Sequence, residues 1–213
     1  MAQHPAFTDI ELVVFDLDGT LVDTFEDIAQ AANTALRIMG RPTRPVDEIR
    51  SHVGHGGRML MASLLPDDAS EADIDKAFLA WRDYYIEHPC DMARPYDGAA
   101  ALLSMLRDQD IHVAVLSNKV HDLVGTILRK TGLSRYVELT RGELPDMPRK
   151  PDPAPLRYVL EFMGASEEQT LMVGDGVADI QVGVNTGVKT VGVSYGVTSA
   201  DDLRELGAET VID

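Results

Sequence analysis

Short apolar runs that stop abruptly at polar residues recur along this chain, and helical patterns lie between them. Ile10 to Phe15 ends in Asp16-Leu17-Asp18-Gly19-Thr20. Ile111 to Leu116 ends at Ser117-Asn118, and Thr170 to Val173 ends at Gly174-Asp175-Gly176. Val188 to Val193 is a fourth run, with Tyr136 to Leu139 and Thr210 to Ile212 as less apolar candidates. A run of this length with β-branched residues and no polar alternation is a strand buried on both faces. Helical periodicity covers 98–107, 120–130, 153–163, 177–185 and 199–206, and glycines close several of these segments as C-caps. Strands alternating with helices predict an α/β fold: a three-layer, Rossmann-like core around a mostly parallel sheet.

The stretch from Asp23 to Met92 breaks this rhythm. It holds no strand pattern. Segments 23–39, 57–65 and 70–87 read as amphipathic helices, separated by Gly40, Pro42, Pro45, Pro66 and Pro89. An insert of roughly 70 residues is long enough for a small subdomain. The predicted division is therefore a core of 1–22 and 93–213, with a helical unit of 23–92 inserted after the first strand.

Charge excludes several roles. Lys plus Arg number 19 against 35 Asp plus Glu, a formal net charge of −16. No basic block occurs that would serve nucleic acid or an anionic membrane, so neither is an expected partner. The lone Cys90 forms no intrachain disulfide and fits no metal spacing. Met1 to Ile10 lacks the basic and apolar regions of a secretory signal, and no apolar run approaches the length that spans a bilayer, about 20 residues. A soluble cytoplasmic protein is expected, as a monomer or homodimer.

In a doubly wound sheet, ligands bind beyond the carboxyl ends of the strands. Asp16, Asp18, Ser117, Asn118 and Asp175 all stand there, with Asp179 at the start of the helix after Asp175. A few carboxylate and carbonyl oxygens with open positions suit Mg²⁺. Lys150, in the stiff loop Arg149-Lys150-Pro151-Asp152-Pro153, would place a point charge on a phosphate. Each piece alone has an ordinary reading: Asp-Gly as a turn, Ser-Asn as a helix cap, Lys-Pro as a solvated loop charge. The order and placement of all four together are far more specific.

That set resembles the haloacid dehalogenase-like phosphohydrolase superfamily over nearly the whole chain. The carrying segments are Val14-Phe15-Asp16-Leu17-Asp18-Gly19-Thr20-Leu21-Val22-Asp23-Thr24, Val115-Leu116-Ser117-Asn118-Lys119, Lys150-Pro151-Asp152-Pro153 and Met172-Val173-Gly174-Asp175-Gly176-Val177-Ala178-Asp179. The insert falls where that superfamily places its helical cap of the first type. Within the superfamily the chain is most similar to the phosphoglycolate phosphatases, on Asn118-Lys119, Arg94-Pro95-Tyr96-Asp97-Gly98 and Val53-Gly54-His55-Gly56-Gly57. It departs from the pattern at Gly176, Ala178, His55 and Thr140-Arg141-Gly142-Glu143.

The resemblance implies a Mg²⁺-dependent phosphomonoester hydrolase acting on a small phosphorylated metabolite, 2-phosphoglycolate first. Asp16 would be the nucleophile and Asp18 the general acid and base. Asp16, the Asp18 carbonyl and Asp175 would hold the metal. Ser117, Asn118 and Lys150 would bind the phosphoryl oxygens, with Gly174 and Asp179 in support. Thr20, Lys119, His55 and Arg58 are the further substrate-binding candidates, Arg58 as partner for a substrate carboxylate. Sugar-phosphate mutases of the β-phosphoglucomutase type share both aspartates but tend to carry Val where Thr20 stands. Another small-metabolite or pyrophosphate phosphatase of the superfamily is the remaining alternative.

Overall fold

The computed structural model describes residues 9–145 and 147–213. The first eight residues, on which the signal-peptide reading mainly rests, lie outside that range. In chain order the elements are β1 (Leu12–Phe15), β2 (Val22–Asp23), α1 (Phe25–Ile38), α2 (Val46–Arg50), α3 (Gly57–Leu64), α4 (Glu71–Glu87), β3 (Arg94–Pro95), α5 (Ala99–Asp108), β4 (His112–Val120), α6 (His121–Lys130), β5 (Leu139–Glu143), α7 (Ala154–Met163), β6 (Thr170–Gly174), α8 (Val177–Thr186), β7 (Lys189–Val193), α9 (Ala200–Glu205) and β8 (Thr210–Ile212).

Six strands form one parallel sheet in the order β5-β4-β1-β6-β7-β8. β1 is central, with Leu12 to Phe15 facing His112 to Val115 on one side and Thr170 to Val173 on the other. All four of its residues are buried, which explains why it reads as a continuous apolar run. Side chains alternate across the sheet. Val13, Phe15, Val113 and Val115 pack with Leu103 of α5 and Ile127 of α6. Leu12, Val14, Ala114 and Met172 pack on the other face with Leu156 and Val159 of α7. These are the three predicted layers. The chain winds outward from β1 in both directions, so the switch point lies at the carboxyl end of β1.

Helices α1 to α4 build a separate apolar cluster. Ala31, Ala32, Ala35 and Leu36 of α1 pack with Leu60, Met61 and Leu64 of α3 and with Ala77, Trp81 and Tyr85 of α4. The alanines admit close approach of helix to helix. Ser70 starts α4 with a capping box, its Oγ accepting from Asp73 N at 3.2 Å while Asp73 Oδ2 accepts from Ser70 N at 3.2 Å. The chain crosses between this cluster and the sheet along a two-residue antiparallel ribbon, β2 with β3. The buried Asp27 carboxylate braces that crossing by accepting from the backbone amides of Asp91, Met92 and Ala93.

Some boundaries differ from the sequence expectation. The third parallel strand lies at Leu139–Glu143, while Tyr136 ends a short 3₁₀ turn. It is an edge strand of half-buried residues, so it carries no apolar run to find. Thr140 to Glu143, where the chain departs from the family pattern, belong to it. α2 and the ribbon are too short to leave a periodic signal. β4 runs on through Ser117, Asn118 and Lys119 to Val120, and α6 has no side-chain cap. Ser117 and Asn118 are therefore not capping residues.

Candidate active site

The carboxyl ends of β1, β4 and β6 converge beneath α3 and α4 on a cavity of about 150 Å³. That is well below the roughly 300–1,000 Å³ of a typical ligand cleft, a size for a small metabolite. Asp16, Asp18, Ser117, Lys119, Asp175 and Asp179 line its floor. Ile28, Val53, Leu60 and Trp81 line its helical side, with the backbone of Gly54 to Gly57 and exposed His55 beside them.

Lys150 does not itself line the cavity but ties its floor together. Its Nζ lies 3.0 Å from Asp16 Oδ1 and 2.6 Å from Asp179 Oδ1, and it donates to the Leu116 carbonyl at 2.7 Å. The side chain is buried, so Lys150 is no solvated loop charge. Burial opposes its charge, but the Asp16 and Asp179 carboxylates outweigh that and raise its pKa. Asn118 fixes the loop that presents it: the Asn118 side chain accepts from Lys150 N and donates to Lys150 O, each at 2.9 Å. The same amide nitrogen donates to Gly54 O of the helical unit at 2.9 Å.

Three buried carboxylates, Asp16, Asp175 and Asp179, offer oxygens within 4.8 Å of one another. Burial, then repulsion from Asp179, push the Asp16 carboxyl up to about 7 despite Lys150. Burial, then Asp179 and Asp16, push Asp175 up to about 8, against hydrogen bonds from Thr20 and Val197. The Thr20 hydroxyl donates to Asp175 Oδ1 at 2.8 Å, and Val197 N donates to Oδ2 at 2.9 Å. Gly19 and Gly196 leave room for this carboxylate, since a Cβ at either would collide with it. At Gly174 a Cβ would strike Asp179, whose second oxygen accepts from Gly176 N at 2.9 Å. Hard oxygen donors crowded together and raised in pKa are the donor set a divalent cation fits. Of the two carboxylates that meet Lys150, Asp179 is the closer, at 2.6 Å against 3.0 Å for Asp16.

Asp18 stands apart from this trio. Its carboxylate receives Lys119 Nζ at 2.9 and 2.8 Å and the Thr24 hydroxyl at 2.6 Å.

Two of the sequence expectations change, and Asn118 gains a further task. Thr20 does not line the cavity; its hydroxyl orients Asp175. Asn118 acts with its side chain as a clamp on the Lys150 loop. Arg58 points away from the cavity, because α3 turns it toward α4, where it pairs with Asp75 at 2.8 Å and Glu71 at 2.5 Å. Other residues at or near the cavity carry no signal of a site in the sequence. Trp81 and Tyr85 share one face of α4 with Ala77, a spacing that marks packing and leaves no trace of the cavity. Arg50 and Val197 act through contacts distant in sequence. Arg50 donates to the Tyr195 and Gly196 carbonyls at 2.9 and 2.7 Å, and no local pattern announces it.

Comparison with known proteins agrees with this geometry. Residues 13–193 match the model of the haloacid dehalogenase-like hydrolases. A phosphoglycolate phosphatase of Neisseria meningitidis is 36% identical over 91% of this chain and 84% of its own. A phosphoglycolate phosphatase of Psychrobacter arcticus is 34% identical over 96% and 92%. The crystal structure of a predicted phosphoglycolate phosphatase from Haemophilus somnus superposes with a TM-score of 0.86 at 28% identity, over 97% of this chain and 95% of that one. Fold, convergent aspartates and matched span agree: the chain belongs to the haloacid dehalogenase-like hydrolase family.

Proposed function

We propose that this protein is a Mg²⁺-dependent phosphomonoester hydrolase working through an aspartyl-phosphate on Asp16, with 2-phosphoglycolate as first substrate. The observation that carries this is Asp16 itself. It is buried at the switch point, its Oδ1 is 3.0 Å from Lys150 Nζ, and it opens onto a metabolite-sized cavity. The names of the relatives support the substrate.

In this reading Asp16 and Asp175, with the Asp18 carbonyl, hold Mg²⁺, which when bound screens the repulsion between carboxylate and phosphate. An Asp16 oxygen attacks phosphorus as the ester oxygen leaves, and Asp18 gives that oxygen a proton. Asp18 then takes a proton from the water that attacks phosphorus and frees Asp16. Ser117 Oγ, the Asn118 backbone N–H and Lys150 Nζ bind the phosphoryl oxygens through both displacements. Asp179 keeps Lys150 aimed. Residues 23–92 act as the cap, closing over the leaving group and excluding bulk water. Gly54 O on Asn118, His55 O on Arg149 at 2.8 Å and the carbonyls on Arg50 are the contacts that closure makes.

Asp16→Asn is the direct test. It is expected to abolish phosphate release from p-nitrophenyl phosphate and 2-phosphoglycolate with Mg²⁺ present, and surviving turnover would show that Asp16 is not the nucleophile. Isomerisation of a sugar phosphate without phosphate release would favour the mutase chemistry instead.

A further inference from the structure

Resting on the phosphatase reading, the geometry points to Lys119 as a positioning residue that holds Asp18 and ties its placement to α4 through Tyr85. Lys119 Nζ meets both Asp18 oxygens, at 2.9 and 2.8 Å, and its side chain is 2% exposed. On its other side the ammonium lies 4.6 Å from the centre of the Tyr85 ring. Tyr85 is fully buried in the helical cluster, so this contact spans from the sheet to the helices. The Lys119 backbone is equally fixed. It follows Asn118, whose side chain is bonded to Lys150 and Gly54, and its own amide donates to Ser117 Oγ at 3.3 Å.

The chemistry needs such a holder. A carboxyl that serves as acid and then as base must present one oxygen first to the ester oxygen and then to the attacking water. A free Asp18 would rotate among several orientations. Here Thr24 and Lys119 set the plane of its carboxyl group, and the Tyr85 ring sets where Lys119 rests. Two of the three ammonium donors lie on the Asp18 oxygens, and the Tyr85 ring stands 4.6 Å from Nζ. The contacts assign Lys119 to holding Asp18 rather than a substrate carboxylate.

Leaving-group chemistry tests this. A misplacement of about 1 Å at a reacting group costs about 10²-fold in rate. Lys119→Met is therefore expected to lower kcat for 2-phosphoglycolate and ethyl phosphate by about 10²-fold, with KM within about threefold of wild type. With p-nitrophenyl phosphate the leaving group needs no proton. Its first-turnover burst is expected to persist in stopped flow, while steady-state release falls because water attack still needs the base. Lys119→Arg should recover part of the loss. A raised KM for 2-phosphoglycolate at unchanged kcat would make Lys119 a substrate ligand and overturn the inference. So would equal losses in burst and steady state, the mark of general damage. If Lys119→Met does not fold, Tyr85→Leu must give the same split in milder form, and an undivided loss there also overturns it. Wild-type protein that releases no phosphate from any ester sinks the phosphatase reading itself.

Discussion

At the scale of single residues, environment separates chemically identical side chains. Asp16 and Asp175 are pushed up in pKa by burial and by Asp179, whereas Asp18 sits between Lys119 and Thr24. Arginines divide in the same way. Arg50 and Arg149 reach backbone carbonyls across the two units, but Arg58 stays within the helices, 37% exposed on Glu71 and Asp75. Exposed ion pairs contribute at most about 1 kcal/mol. Arg58→Ala is thus expected to leave the urea midpoint close to wild type and KM for 2-phosphoglycolate unchanged. A tenfold rise in KM would return Arg58 to the substrate. Asp16, Lys150 and Asp175 were legible because strand ends and a proline-stiffened loop deliver them by backbone alone. Thr20 and Arg58 turn elsewhere than expected because their direction depends on partners more than ten residues away.

Elements carry a second kind of information, in how tightly they meet. α3 begins at Gly57, against the six-membered ring of Trp81 on α4, and a Cβ there would collide with that ring. Two effects oppose each other in Gly57→Ala. Alanine stabilises a helix interior by roughly 0.5–1 kcal/mol relative to glycine, an upper bound for the first residue of a helix. Overpacking a seated aromatic costs about 1–3 kcal/mol, and Trp81 is 3% exposed with little room to yield. The collision wins: Gly57→Ala is expected to lower the urea midpoint and to raise KM, since Gly57 and Trp81 both line the cavity. A variant as stable as wild type would show that Trp81 is not seated there. Long elements were legible because a buried strand or an amphipathic helix repeats its signal over several residues. β2, β3 and α2 offer too few residues to repeat anything. β5 is paired on one side only, and its half-buried residues Thr140, Arg141 and Glu143 mimic a turn.

The whole molecule is acidic, and its site repeats that imbalance, with Asp16, Asp18, Asp175 and Asp179 against Lys119 and Lys150. A phosphate approaching the metal-free site meets net negative charge, so cation binding and proton binding must compete for the same oxygens. The consequence is a stability that depends on pH and metal together. Asp16 and Asp175 stand at about 7 and about 8 in the metal-free fold, against 3.8 for an ordinary aspartate. Between about pH 4 and pH 8 the folded state therefore holds more protons than the unfolded chain, and these two groups lower stability as pH rises through that window. A divalent cation binds the deprotonated carboxylates and stabilises by mass action, more strongly as those protons leave. The rise in Tm on adding Mg²⁺ is expected to be small at pH 5, to grow steadily to about pH 8 and to level off above it. Calorimetry at pH 6.5 in two buffers of different ionisation enthalpy should show protons released as Mg²⁺ binds. Asp175→Asn removes one of the two titrating ligands, so it should weaken binding and reduce that release together. A Tm gain that is flat with pH, with no proton release, would mean that Mg²⁺ binds away from these aspartates. The negative charge of the site would then need another counter-ion before phosphate could enter.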